Sequence, residues 1–176
     1  EIRKFLLMIG TTSFQNQQHF FKNILKPKKV IALNINDLLL ACNSMAQSQT
    51  GALIIITRNT ELGTFERTGE KINARVSKGL IESIFFKNSP LHDGAVIIAN
   101  NTIKATRVVL PINNDKQIPN RFGLRHKAAV GITEKTDALA IVVSEETGHI
   151  SYIKNGEFIS YDNQKTLSDL IKEDLN

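Results

Sequence analysis

The chain contains no tryptophan, one cysteine and only four prolines among its 176 residues. The lone cysteine, Cys42, cannot form an internal disulfide, so the sequence excludes the disulfide-stapled domains of secreted proteins and fits a reducing compartment. No apolar run approaches the ~18–20 residues that a membrane-spanning helix needs. The early apolar stretch at 5–9 is also shorter than the core of a signal peptide, so no secretory signal is predicted.

Several common motifs are absent as well. The chain has no Gly-x-x-x-x-Gly-Lys-Ser/Thr phosphate loop, no His-Glu-x-x-His or Cys/His zinc spacing, and no Gly-x-Ser-x-Gly nucleophile elbow. These absences argue against a P-loop nucleotide-binding protein, a zinc protein and an α/β-hydrolase. No internal repeat, low-complexity segment or linker is present, which favours one domain with a single core.

The charge that is present is moderately basic. Lys and Arg number 22 against 17 Asp and Glu, which gives a net charge of +5. A basic protein favours anionic partners such as nucleotides, nucleic acids or membrane surfaces. The basic residues are dispersed, without a stripe or interleaved aromatic side chains. A nucleic-acid-binding module is therefore a minor hypothesis, and no nucleic acid is expected among the partners.

Apolar periodicity predicts alternating helices and strands early in the chain and a cluster of strands later. Helices are predicted over 1–9, 35–49, 78–86, 125–131 and 166–175. Strands are predicted over 30–33, 52–57, 72–76, 95–99, 102–110, 138–144, 150–154 and 158–160. The runs 52–57 and 138–144 lack alternation, which indicates strands buried on both faces. The predicted fold class is α/β: one domain over 1–176, with a mixed central β-sheet and helices on both faces.

Short polar residues and glycines mark where these elements begin, end and turn. The pairs Asn100-Asn101 and Asn155-Gly156 predict hairpin turns, because Asn and Gly tolerate positive φ. Helix caps or ends are predicted at Asn36, Gly51, Ser77 and Thr166–Asp169. Polar loops are predicted at 59–69 and 113–120.

Three polar clusters flank these elements, and a hydrophobic core has no use for them. They are His92, Asp93 and Gly94, then Arg125, His126 and Lys127, then Ser144, Glu145 and Glu146. Ligands bind at strand ends in an open α/β sheet, so convergence of the three clusters would make a specific site. Carboxylates could hold a divalent metal, and a basic triplet at a helix N-terminus could hold phosphates. A metal, a cationic clamp and positioning are the parts of phosphoryl or nucleotidyl transfer.

Each cluster also has a simpler structural interpretation. Asp93 could cap N–H groups in a surface turn. Arg125 could form a structural ion pair with Glu145 or Glu146, His126 could be a packed histidine, and the acidic corner could be solvated. From the residues alone, the sequence supports an anionic-ligand site on a mixed α/β sheet and leaves these alternatives open.

Three segments carry a resemblance to a known family. They are Pro90-Leu-His-Asp-Gly-Ala-Val-Ile-Ile98, Gly123-Leu-Arg-His-Lys-Ala-Ala-Val-Gly-Ile132 and Val142-Val-Ser-Glu-Glu-Thr-Gly148. Together with Thr50–Ile54, they closely resemble the diadenylate cyclase domain, from about 35 to 158 and in the right order. The resemblance implies that two ATP condense to cyclic di-AMP with release of two pyrophosphates. Each 3′-hydroxyl would attack the α-phosphorus of the other ATP across a face-to-face homodimer.

The resemblance also implies roles for residues. Asp93 would help activate the 3′-hydroxyl beside a metal, and Gly94 would let the nucleotide approach the backbone. The implied catalytic residues are Asp93, Gly94, Arg125 and His126. The implied ATP-binding residues are Gly94, Ala95, Leu110, Gly123, Leu124, Arg125, His126, Lys127, Ser144 and Glu145. The implied metal ligands are Asp93, His92 and Glu146, and the metal is Mn²⁺ or Mg²⁺, with Co²⁺ a further candidate.

Three positions depart from the family pattern. Leu124 and Lys127 stand where the family usually has Thr and Arg, and Val109 stands where an aromatic residue often flanks adenine. Leu124 cannot donate a hydrogen bond to phosphate, and Lys127 lacks the bidentate fork of arginine. These departures motivate the alternative function, a catalytically silent ATP-binding or nucleotide-binding regulatory domain.

The first nine residues, Glu1–Ile9, have an amphipathic helical pattern. They resemble the helix that follows the membrane anchor in the membrane-bound bacterial type of this family. We therefore expect 1–30 to be a helical extension that follows an anchor outside this sequence. The catalytic domain is expected to be cytoplasmic, at the cell membrane of the full-length protein.

Overall fold

Seven strands form one sheet in the part of the chain that the computed structural model describes, residues 33–112, 118–119 and 122–176. The strands are β1 (Ala52–Ile56), β2 (Glu70–Arg75), β3 (Ala95–Ala99), β4 (Thr102–Val108), β5 (Leu139–Val143), β6 (Ile150–Lys154) and β7 (Glu157–Ile159). The helices are α1 (Ile35–Gln47), α2 (Gly63–Glu66), α3 (Lys78–Phe85), α4 (Leu124–Lys135) and α5 (Gln164–Leu175). The predicted helix at 1–9 and nearly all of the predicted strand at 30–33 lie outside the described residues.

The sheet is mixed, as the sequence predicts. The strand order is β2-β4-β3-β1-β5-β6-β7. The central strand β1 runs parallel to β3 and antiparallel to β5, and the remaining neighbours are antiparallel. Every residue of β1 and of β5 is buried, which explains why these two runs lack alternation.

Helices cover both faces of the sheet, which confirms the predicted architecture. On one face, α1, α3 and α5 pack against the strands through a large apolar cluster that includes Leu38, Ile84 and Ile171. On the other face, α4 packs through a second cluster that includes Ala129 and Ile132. The sheet is therefore the middle layer of three, and α4 is the helix on the second face that carries a predicted site cluster.

Two predicted caps are wrong by a few residues. Asn34, rather than Asn36, caps α1, because its side-chain oxygen accepts the N–H of Asp37. Asn163 likewise accepts the N–H of Thr166, so α5 begins at Gln164 and not at the predicted capping box. In both cases an Asn lies three residues before the bonded N–H, which is the spacing of a side-chain cap.

Other boundaries also differ from the predicted ones. Helix α1 ends at Gln47, before the predicted stop at Gly51, and Gln49 takes a φ of 48° in the turn that follows. Helix α4 runs to Lys135, beyond the predicted end at Gly131. The short helix α2 lies inside the segment predicted as a loop at 59–69. The N-cap at Ser77 and both hairpin turns, at Asn100-Asn101 and Asn155-Gly156, are confirmed.

Candidate active site

A cavity of about 550 Å³ opens at one end of the central strands. It brings together residues from all three of the polar clusters and from the strands between them. The predicted site residues that line it are Asp93, Gly94, Ala95, Leu110, Gly123, Leu124, Arg125, His126, Ser144, Glu145 and Glu146. Two predicted site residues, His92 and Lys127, are not among its lining residues.

Apolar residues that the sequence did not single out as site residues complete the cavity wall. They are Leu53, Val108, Ile112, Ala128, Val142 and Val143; Val109, noted above as a departure from the family pattern, is also part of the wall. Leu53 and Val142 are opposite each other in the register of β1 and β5. Such residues look like ordinary core positions in the sequence, because only the pairing of strands decides which face of a buried strand meets a cavity.

Asp93 offers a carboxylate to this cavity. Its residue is exposed in the bend before β3. Among the described residues, no hydrogen bond or ion pair holds this carboxylate. The alternative in which Asp93 caps local N–H groups therefore has no support in the structure, and the carboxylate is available to a ligand.

Gly94 packs closely against the backbone of the neighbouring strand, β4. Its φ is +124°, a value that side chains rarely allow, and a Cβ there would lie 2.7 Å from the backbone carbon of Arg107. Arg107 has a φ of 55° and lies in a bulge of β4, where two residues oppose one of β3. The space beside Gly94 is thus filled by the neighbouring strand. Gly94 is required for this strand contact, whatever its predicted role in approach to a nucleotide.

The N-terminus of α4 borders the same cavity. Its N-cap is Gly123, and no side chain caps the helix. The first free N–H groups and the helix dipole therefore favour an anion at this end. Arg125, in the first turn, donates from Nη1 to Oε2 of Glu145 at 2.7 Å, so the predicted alternative of an ion pair with Glu145 is observed.

His126 is packed rather than open. It is 5% exposed, its Nε2 lies 3.3 Å from Oγ of Ser151, and its ring contacts Phe122. Burial, and to a lesser extent the charge of His149, lowers the pKa of His126 to about 4. Near neutral pH the ring is therefore uncharged, which limits the predicted phosphate clamp to Arg125, the helix end and hydrogen bonding by a neutral imidazole.

The turn after β5 fixes the third cluster. The hydroxyl oxygen of Ser144 accepts the N–H groups of Glu146 and Thr147, each at 3.3 Å. This leaves the Ser144 hydroxyl hydrogen for a donor bond. The backbone carbonyl of Glu146 accepts a hydrogen bond from Gln49 Nε2 at 3.0 Å, which ties this turn to the turn after α1.

The residues predicted to bind a metal do not form a metal centre within one chain. In the described residues, no group of three or more His, Cys, Asp or Glu side chains is close enough to hold an ion. His92 lies outside the cavity lining, and its Nδ1 donates to the carbonyl of Ser89 at 2.6 Å. A resident metal held by protein ligands alone does not fit this arrangement.

The rim of the cavity is apolar and exposed. Leu124 is 69% exposed, Val109 is 68% exposed and Ile112 is 44% exposed. Large apolar side chains that cluster at the surface are typical of binding surfaces.

Among the described residues, no helix combines the length and the apolar character needed to cross a membrane.

Comparisons with known proteins identify the family of this chain. The family described as "DAC: DisA bacterial checkpoint controller nucleotide-binding" matches residues 39–158. The chain is 44% identical over 135 residues to the cyclic di-AMP synthase CdaA of Bacillus subtilis, covering 77% of this chain and 50% of that protein. It is 42% identical over 131 residues to a diadenylate cyclase of Listeria monocytogenes, covering 74% and 48%. The chain thus spans about half the length of these curated relatives.

Solved structures are similar in fold. A double cysteine mutant of DacA from Staphylococcus aureus superposes with a TM-score of 0.77 at 36% identity, covering 80% of this chain and 94% of that one. A protein from Bacillus cereus described as a hypothetical membrane spanning protein gives 0.68 at 41% identity, covering 72% and 63%. The matched range includes all three polar clusters at the cavity. The chain therefore belongs to the DAC family of nucleotide-binding domains.

Proposed function

We propose that this chain is the catalytic domain of a diadenylate cyclase, which condenses two ATP into cyclic di-AMP and two pyrophosphates. The observation that carries the proposal is the convergence of Asp93, Arg125 and Ser144 on one cavity of about 550 Å³. That volume lies within the range of roughly 300–1,000 Å³ that is usual for sites of small ligands. The names of the relatives, cyclic di-AMP synthase and diadenylate cyclase, support the same reaction.

The proposed reaction needs two chains. One cavity of this size suits one nucleotide, whereas the product joins two. Two cavities that face each other would let each ribose 3′-oxygen reach the α-phosphorus of the other ATP. The exposed apolar rim of Leu124, Val109 and Ile112 supports such a face-to-face homodimer, because a dimer would cover it.

Within each half-site the chain supplies positioning and charge. Asp93 accepts the proton of the 3′-hydroxyl of one ATP while that 3′-oxygen bonds to the α-phosphorus of the facing ATP. The bond from that phosphorus to the pyrophosphate oxygen breaks. Arg125 and the uncapped end of α4 stabilise the negative charge on the leaving pyrophosphate. Ser144 donates to a phosphate oxygen, and Leu110 lines the adenine side of the cavity.

The proposed reaction depends on a divalent metal ion that is held by the protein and the substrate together. A divalent ion such as Mg²⁺ is commonly held by one or two carboxylates together with substrate phosphates. Asp93 and Glu146 line the cavity and would hold such an ion together with the phosphates of ATP. When bound, the ion would neutralise charge on those phosphates.

The similar proteins also bear on the placement of the full-length protein. The Bacillus cereus protein is described as a hypothetical membrane spanning protein, which supports a membrane-anchored full-length protein. In that arrangement 1–30 is the extension that follows the anchor, and the catalytic domain lies on the cytoplasmic side as a single domain within 1–176.

The testing experiment is mass spectrometry of a reaction with ATP in Mg²⁺, Mn²⁺, Co²⁺ or EDTA. We expect cyclic di-AMP with at least one of the metals, together with two pyrophosphates per molecule of product. We expect no cyclic di-AMP in EDTA. ATP left intact in every metal and at high protein concentration would contradict the cyclase. If calorimetry then detected ATP binding, the silent nucleotide-binding domain would be favoured, a function that the apolar Leu124 at the cavity rim suggests.

A further inference from the structure

We propose that Gly51 is a positioning residue for this reaction, because the space left by its missing side chain holds the Arg125–Glu145 pair at the edge of the nucleotide cavity. The inference rests on the proposed function. Gly51 is buried between α1 and β1 and is not among the residues that line the cavity. It would act on the reaction only through the two side chains beside it.

The three heavy atoms nearest to a Cβ at Gly51 all belong to those two side chains. A Cβ at this position would lie 2.6 Å from Nη1 of Arg125, 2.8 Å from Oε2 of Glu145 and 3.0 Å from Cζ of Arg125. Real Cβ atoms are not found below 3.0 Å. The pair therefore occupies the volume that any other residue at 51 would fill.

The arrangement prepares Arg125 for an anionic ligand. A guanidinium has five N–H donors in a rigid fork. Among the described residues, the one hydrogen bond it makes is from Nη1 to Glu145, at 2.7 Å. The other donors remain for phosphate oxygens, and the side chain is 26% exposed at the cavity. Fixing one edge of the guanidinium reduces the freedom that phosphate binding would otherwise have to restrict.

Gly51 differs from glycines whose neighbours are backbone atoms. At Gly94 the nearest atoms to a Cβ belong to the backbone of Arg107, and at Gly148 the nearest is the carbonyl oxygen of Ala46. Backbone cannot move aside cheaply, whereas the ends of Arg125 and Glu145 can rotate away. Substitution of Gly51 by Ala should therefore displace the pair and spare the fold.

The test compares Gly51→Ala with Gly79→Ala, an exposed position in α3 where a Cβ would meet nothing within 4 Å. We expect both variants to melt within about 2 °C of the wild type. We expect Gly51→Ala to lower kcat/KM about tenfold and to weaken ATP binding in calorimetry by a similar factor, since small misplacements of a positioning group are costly. Gly79→Ala should change neither quantity.

A double-mutant cycle with Glu145→Ala separates positioning from a general effect on β1. Once Glu145 is removed, Arg125 has room to shift, so adding Gly51→Ala should cost less than about twofold. Any of three outcomes would overturn the inference. Gly51→Ala could lower kcat/KM equally with and without Glu145, it could have wild-type kinetics, or it could fail to fold.

The wild type, assayed in parallel, keeps the two proposals apart. If the wild type forms no cyclic di-AMP, the proposed reaction fails, and the ATP-binding arm alone decides the role of Gly51: weaker binding by Gly51→Ala supports it, and equal binding overturns it. If the wild type is active and Gly51→Ala matches it, only the inference about Gly51 fails. A wild type that neither reacts nor binds ATP overturns both.

Discussion

Asp93 and His126 line the same cavity in opposite environments. Asp93 is exposed and no described side chain or N–H group bonds its carboxylate, whereas His126 is 5% exposed and packed beside Phe122. An available carboxylate can take a proton from a substrate. A buried neutral ring serves better as a fixed hydrogen-bonding and packing group. The two residues therefore make different predictions.

Replacing Asp93 by Asn should abolish product formation and leave the fold intact. The amide keeps the size of the side chain but cannot accept the 3′-hydroxyl proton, so a loss of at least about 100-fold in kcat is expected. Product would be measured by mass spectrometry and folding by thermal melting. Asp162→Asn, at an exposed aspartate before α5, is the matched control and should keep full activity. Product formation by Asp93→Asn near the wild-type rate would remove Asp93 from the mechanism.

The pKa of His126 predicts how stability depends on pH. Because its folded pKa is about 4, below the ordinary value of 6.5, the unfolded chain binds a proton that the folded chain does not between these values. The contribution of His126 to the free energy of unfolding is therefore complete above pH 6.5. It declines as the pH falls toward 4, by roughly 2–3 kcal/mol at pH 4.5.

Urea denaturation at pH 7.5 and at pH 4.5 measures this effect. The His126→Gln variant lacks the titrating ring, so its stability should fall less between the two pH values than that of the wild type. Equal losses in the two proteins would show that other groups account for the acid sensitivity.

At the scale of the elements, residue types predicted the hairpin turns but not the bulge in β4 or the full length of α4. Asn100-Asn101 and Asn155-Gly156 take positive φ as their residue types suggest. The positive φ of Arg107 has no such signal, because the bulge arises from how β4 pairs with β3 and an Arg rarely adopts that conformation alone. The extra length of α4 was missed for a related reason. Thr133 is β-branched and a weak helix former, but its hydroxyl donates to the carbonyl of Ala129 inside the helix.

The contact between Gly94 and the bulge predicts a stability effect that needs no nucleotide. Gly94→Ala would combine strain at φ +124° with a Cβ 2.7 Å from backbone, so a loss of about 2–4 kcal/mol is expected. The control, Gly79→Ala, adds a methyl group in open space on a helix and should be neutral or slightly stabilising. The free energy of unfolding in urea measures both. Equal unfolding midpoints for Gly94→Ala and wild type would show that the strand contact can relax.

At the scale of the whole molecule, the sequence located the polar half of the site. Asp93, Arg125 and Ser144 were predicted from their positions at element ends, and the fold brings them to one cavity. Their individual roles stay predictions. Of the apolar half, Leu110 was implied by the family resemblance and lines the cavity, but Leu53 and Val142 could not be predicted, since they look the same as any core residue until the register of β1 with β5 is known.

The proposed face-to-face dimer makes a prediction about how specific activity depends on protein concentration. Since each cavity suits one nucleotide, specific activity should rise with protein concentration until dimers saturate, and then level off. Product formation per milligram would be measured across a dilution series, with sedimentation velocity on the same samples as the control. Constant specific activity at dilutions where sedimentation finds only monomer would contradict a reaction shared between two chains.

The position of β1 at the centre of the sheet also has a consequence for synthesis of the protein. The wall of the cavity needs β1 and β5 side by side, yet β3, β4 and α4 all lie between them in the sequence. Contacts between such distant segments form late, because a long loop must close first. A chain still emerging from the ribosome therefore has no nucleotide cavity until β5 has been made. By then Asp93 and Arg125, which precede β5, have already been translated.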